Sequence, residues 1–218
     1  MSLMRLKIDL HVHSYYSDGL GTPEDILEHA MKKSINGLAI TDHSTLEGYF
    51  RARELDSDLL IIPGFEVATE AGHILVLGLD KLPPKVETIK YNELVMWSKN
   101  LGGLTVLAHP AVSRFHLEQW LYLKPDAVEV MNALYPLRYF VGRGLRLCER
   151  LGIPSVGGSD AHSPHTVGNA YTVVEVQNVS SDDVLKAIRS GNAWYEGGLS
   201  PLSSRLRIGL GYVKNMFF

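Results

Sequence analysis

Five short polar clusters, each closing an apolar run of strand length, constrain this chain more than any other feature. In chain order they read DLHVHS from Asp9, TDH from Thr41, FE then GH between Phe65 and His73, AHP from Ala108, and SDAH from Ser159. Six of the nine histidines lie in them. Imidazoles and carboxylates at successive strand ends can converge on one site although they are far apart in sequence. The candidate ligands are His11, His13, Asp18, His43, Glu66, His73, His109, Asp160 and His162, with Asp42 beside them.

Apolar runs alternate with helical patterns through most of the chain, the sign of βα units on a largely parallel sheet. Strands are predicted at 6–10, 37–41, 59–63, 74–79, 104–108, 127–130, 154–157 and 170–176. Several are nearly continuous hydrophobic runs, as strands buried on both faces should be. A first helix is capped by Thr22, takes Pro23 into its first turn, places Glu24 and Asp25 at the positive end of its dipole and stops at Asn36-Gly37. Further helices are predicted over 89–99, 116–123, 139–151 and 182–190. Only VATEAG separates the Glu66 region from the strand at His73, which predicts a short turn and a distorted barrel.

A chain of 218 residues, 45% hydrophobic, can bury one sizeable core, so one α/β domain is expected. It should occupy 4–198, leaving 199–218 as a tail packed on the barrel, in which Leu206 and Ile208 alternate with Arg205 and Arg207 like an edge strand. A net charge of -3 without a basic run gives no strong nucleic-acid footprint and no anionic-membrane surface. No stretch approaches the ~18 apolar residues of a membrane span, and a cytoplasmic location is expected. Cys148 sits at helical spacing from Val141 and Leu145 and reads as a packed thiol. GGSDA around Ser159 lacks the last glycine of a nucleophile elbow, which disfavours serine chemistry.

Side chains two apart in a strand point to the same side, so His11 and His13 can grip one ion, and the same parity joins Asp160 to His162. Glu66, with two oxygens, can serve two ions. Mixed nitrogen and oxygen donors suit zinc, manganese or iron better than calcium or magnesium.

The ordered series DLHVHS with SDG at Ser17 to Gly19, TDH, GFE, the GH before ILVLGL, AHP, VEVMN and GSDAH resembles the polymerase and histidinol phosphatase (PHP) family of metal-dependent phosphoesterases. The resemblance runs from about Leu6 to Gly198. It implies a distorted (β/α)7 TIM-like barrel with two or three divalent ions in its mouth. It also implies that His11, His13, Glu66 and Asp160 hold one ion, Glu66, His73 and His109 a second, and Asp18, His43 and His162 a third. Some family members have histidine where this chain has Asp18, which leaves two or three ions open.

Two ions about 3.5 to 4 Å apart can hold a bridging hydroxide and clamp the attacking and leaving oxygens at phosphorus. Three divalent ions against Asp18, Glu66 and Asp160 leave roughly +3, so an acidic protein can attract phosphate locally. The expected substrate is a phosphomonoester or a small nucleotide or oligonucleotide phosphoester. His43, Asp160 and His162 are the expected catalytic groups, with His43, His162 or a water as acid. Ser44, Arg114, Asn132, Arg138 and His165 follow strand ends and are candidate substrate contacts, Arg114 or Arg138 as a bidentate phosphate clamp; ordinary loop positions are the competing reading.

Two other functions compete. A metal-dependent amidohydrolase also opens with HxH after its first strand, but its usual bridging lysine has no counterpart here. A non-catalytic, metal-stabilised binding module is the second. The sequence leaves oligomeric state open.

Overall fold

The computed structural model describes residues 3–112 and 116–205. Ten strands form two five-stranded mixed sheets. In the first, β1 (Met4–Val12), β2 (Gly37–Ile40) and β3 (Leu60–Ile62) run parallel, and β9 (Ala170–Val176) and β10 (Ala193–Gly197) add antiparallel strands on the other side of β1. In the second, β4 (Gly64–Thr69) and β5 (Gly72–Leu77) form a hairpin, β5 pairs antiparallel with β6 (Leu104–Leu107), and β7 (Ala127–Asn132) and β8 (Ser155–Gly158) continue in parallel.

The α/β class and the single domain agree with expectation, but no closed barrel forms among the described residues. Two isolated bridges, Val12 with Ala161 and His43 with Glu66, join the sheets where β1, β2 and β8 end. The short turn expected after Glu66 is a full hairpin strand, so Glu66 lies inside β4 and not at the end of the third strand. Its alternating neighbours escaped notice because the loop-like residues Thr69, Glu70, Ala71 and Gly72 interrupt one apolar run. The expected edge strand at Leu206 and Ile208 lies outside the described residues, as does Arg114.

Helix α1 (Pro23–Lys32) begins as its sequence requires. Thr22 accepts from the Asp25 amide while Asp25 reaches back to the Thr22 amide, a capping box that satisfies two otherwise unpaired donors. Helices α2 (Glu47–Glu54), α3 (Tyr91–Asn100), α4 (Leu117–Tyr122), α5 (Tyr139–Leu151) and α6 (Ser181–Arg189) complete the fold. The polar pattern EGYFRARE hides α2, which buries only Gly48, Tyr49 and Ala52. No described helix is long and apolar enough to cross a membrane.

Strand faces turned inward supply the core: Leu6, Ile8 and Leu10 of β1 pack with Leu75, Leu77, Val106 and Val156. Trp120, fully buried, donates its indole N–H to the Ala71 carbonyl at 2.9 Å and so fastens α4 to the β4–β5 hairpin. Burial of this size stabilises by about 25 cal/mol for each Å² of apolar surface removed from water, and here it fixes the strand ends from which the polar clusters project.

Candidate metal centre

All nine candidate ligands meet at the end where the two sheets are bridged. The parity of β1 puts His11 and His13 on one side, with their Nε2 atoms 3.0 Å apart. These two atoms lie 3.3 and 3.2 Å from Glu66 Oε2 and 3.4 and 3.5 Å from Asp160 Oδ1. A tetrahedral ion with bonds of about 2.0–2.1 Å holds its donors about 3.3 Å apart. The two imidazoles together with Asp160 therefore have the spacing of donors around a single divalent cation, with Glu66 Oε2 beside them.

Glu66 divides its oxygens. Oε2 faces His11, His13 and, at 3.4 Å, His43 Nδ1, whereas Oε1 lies 2.9 Å from His73 Nδ1 and 3.2 Å from His109 Nε2. His73, second residue of β5, reaches Glu66 across the hairpin from the neighbouring strand. A further group surrounds Asp18, whose Oδ2 is 3.5 Å from His43 Nε2 and 3.3 Å from His162 Nε2. Donor atoms within 4.8 Å of one another define three overlapping groups: His11, His13 and Asp160; His11, Glu66 and His109; and His13, Asp18, His43 and His162.

The electrostatics are those of a cation site. Burial opposes charging of His11, but Asp160, Glu129 and Glu66 outweigh it and hold its pKa well above the ordinary imidazole range. Burial likewise opposes charging of His13, yet Asp160 and Glu66 raise it to about 9. The same histidines overcome burial at Glu66 and Asp160 and hold both carboxyls well below their usual range. Protons on the imidazoles balance the carboxylates, and a divalent cation would take their place.

Three buried carboxylates outside the candidate ligand series set its geometry. Glu129 Oε1 accepts from His11 Nδ1 at 2.9 Å, which leaves Nε2 turned toward His13, Glu66 and Asp160, and its Oε2 accepts from the His109 amide at 2.8 Å. Glu129 was missed although VEVMN places an acid in the middle of an apolar strand, which is the signal that finds it. Asp42 accepts from the Ser14 amide and from the hydroxyls of Ser14 and Ser17, fixing the loop that carries Asp18. Asp9 accepts from the amides of Ser159 and Gly168, and burial raises its carboxyl to about 6.

Backbone strain is concentrated here. His109, Asp160 and Ser44 have φ of 32°, 51° and 54°, a left-handed region that side chains adopt only when their surroundings enforce it. A glycine is needed where β8 passes β1: a Cβ on Gly158 would lie 2.6 Å from His11 Cβ and 2.8 Å from Glu129 Oε1.

The expected substrate contacts are placed differently from the ligands. Asn132 is buried, and its amide nitrogen donates to Glu129 Oε2 and Asp160 Oδ2 while its oxygen accepts from the Leu134 amide, so it braces the site and has little capacity left for substrate. His165 hydrogen-bonds His29 at 3.0 Å beside α1 and does not line the cleft. Ser44 gives its amide to the Glu66 carbonyl, a contact that holds the two sheets together. Arg138 is exposed just before α5, with a guanidinium nitrogen 3.5 Å from where a Cβ of Gly198 would stand.

Eight of the nine candidate ligands line a cleft of about 340 Å³, with Leu134 at its wall and His11 fully buried. A second cavity of about 290 Å³ adjoins it, sharing His109, Leu134 and Asp160 and continuing past Val112, Tyr135 and Pro136. The ionic cleft thus opens into an apolar annex.

Residues 141–193 match the family model described as PHP-associated. An uncharacterized protein of Methanocaldococcus jannaschii is 32% identical over 145 residues, covering 60% of this chain and 84% of that protein. A protein of Haemophilus influenzae named 5'-3' exoribonuclease is 33% identical over 165 residues, 65% of this chain and 58% of that one. In fold, the chain is similar to a two-domain protein of Bacteroides vulgatus containing a predicted PHP-like metal-dependent phosphoesterase, with a TM-score of 0.78, 20% identity, and coverage of 95% of this chain and 70% of that one. Likeness of sequence, likeness of fold and the meeting of the whole ligand series lead to one conclusion: the chain belongs to the PHP family.

Proposed function

We propose that the protein is a metal-dependent phosphoesterase acting on a phosphomonoester or a small nucleotide or oligonucleotide phosphoester. The observation that carries this reading is the division of Glu66, whose two oxygens face two sets of imidazoles at the floor of an open cleft. In this reading His11, His13, Glu66 and Asp160 hold one ion, Glu66, His73 and His109 a second, and Asp18, His43 and His162 a third. Divalent ions held there would supply Lewis acidity toward phosphoryl oxygens and water of lowered pKa.

The chain's own residues do the rest. Asp160, braced by Asn132, and His11, braced by Glu129, keep their donor atoms fixed before substrate arrives. With only two ions bound, His43, which faces the cleft with 35% of its side chain exposed against 6% for His162, is the better placed to give a proton to the leaving oxygen. Val112, Leu134 and Pro136 offer an apolar wall to the group that the phosphate esterifies. The relative named as an exoribonuclease supports a nucleotide there.

The reading is tested by stripping the protein with a chelator, reloading it with manganese, zinc or iron, and assaying phosphomonoesters, cyclic phosphodiesters and short RNA beside amides and lactones. Hydrolysis of a phosphoester that vanishes on chelation supports it. A metal-loaded protein that cleaves amides or lactones and no phosphoester overturns it.

A further inference from the structure

Although the chain as a whole is acidic, residues 138–150 contain Arg138, Arg143, Arg146 and Arg150 against a single acid, Glu149. The last three arginines line a groove of about 170 Å³ between α4 and α5, walled by Leu117, Leu147 and Tyr139. Arg146 and Arg150 are exposed and have no carboxylate partner among the described residues, while Arg143 is half-buried with its guanidinium 5.9 Å from the Phe140 ring.

The segments that wall the groove lead on in the chain from those that wall the cleft. Leu134, in the cleft wall, is five residues before Tyr139, and α5 packs on β7 and on the turn Pro110–Val112 that follows His109. Because β7 ends at the cleft, α5 begins there and runs away from it. Tyr139, 63% exposed, stands at the near end. Arg143, Arg146 and Arg150 follow at rises of about 4.5 and 6 Å along the axis. Charges in series, with an aromatic ring between them and the cleft, match a linear polyanion with stackable bases better than one compact anion.

We propose that the α4–α5 groove is a second binding site, for the phosphate backbone of a single-stranded nucleic acid whose terminal nucleotide occupies the metal cleft. This rests on the phosphoesterase reading and narrows its substrate to an oligonucleotide. Tyr139 stacks on a base as the strand leaves the cleft, and the arginines neutralise successive phosphates beyond it.

The test uses the full chain and the double variant R146E/R150E, both residues being exposed. Binding of a fluorescein-labelled ten-nucleotide single-stranded RNA is followed by anisotropy in chelator at several salt concentrations. The variant should bind at least tenfold more weakly, and its salt dependence should be shallower by about 1.4 in log–log slope, two phosphate contacts having been lost. With manganese, KM for the RNA should rise while turnover of a small chromogenic phosphate ester stays unchanged. Equal RNA affinity of variant and parent overturns the proposal, as does a mononucleotide that competes as well as the decamer. If the parent hydrolyses no ester, the phosphoesterase reading fails, and the anisotropy still decides the groove by the same criteria.

Discussion

Glu129 shows how a residue that touches no ion can govern one. Its carboxylate fixes which nitrogen of His11 is free and also holds the His109 backbone, so Glu129→Gln should leave the fold intact and weaken metal affinity about 10- to 100-fold. Competition with a chromophoric chelator measures this, and unchanged affinity would show that His11 is oriented by packing alone. At Gly158 the limit is steric. Gly158→Ala drives a methyl group into His11 and Glu129, and activity should fall about 100-fold for a displacement near 1 Å. Circular dichroism and a thermal melt, run beside the assay, separate this from unfolding. Proton balance is the third expectation at this scale. His13, raised to about 9, and His11, held well above its ordinary range, carry protons at neutral pH that a cation must displace, so metal affinity should rise with pH from neutral through about 9. Calorimetric titration in buffers of different ionisation enthalpy reads the released protons directly; heats independent of buffer would contradict it.

Among the elements, the β4–β5 hairpin and α4 act together. Trp120→Phe removes the indole donor from the Ala71 carbonyl and leaves a gap, which should cost about 2 kcal/mol in denaturant unfolding and loosen the hairpin that carries Glu66 and His73. Much of this level was legible in the sequence. Thr22, Pro23 and Asp25 announced α1, and the apolar runs before HVH, TDH, AHP and SDAH located β1, β2, β6 and β8 within a few residues. The hairpin strand β4, the polar helix α2 and the last strand β10 were not, because each is short and patterned by its neighbours more than by its own residues. That the nine candidate ligands would converge was legible from their positions at strand ends. The contacts of Asn132 and His165 were not, since which loop faces a cleft depends on pairings such as that of His165 with His29.

For the molecule as a whole, His11 and, just past the end of β1, His13 stand on one sheet, while Glu66, His73 and, two residues past β6, His109 stand on the other. Among the described residues the ladders of the two sheets are joined by only two isolated bridges, both beside these side chains. A cation held by His11, His13 and Glu66 would therefore act as a rivet through two plates. Its removal should be felt as slippage between the sheets, with the bridging amides of His13, Ser44, Glu66 and Ala161 exchanging with solvent before those in the middle of either sheet. The protein would in this way sense cation supply through its own rigidity, as an arch stands or sags with its keystone.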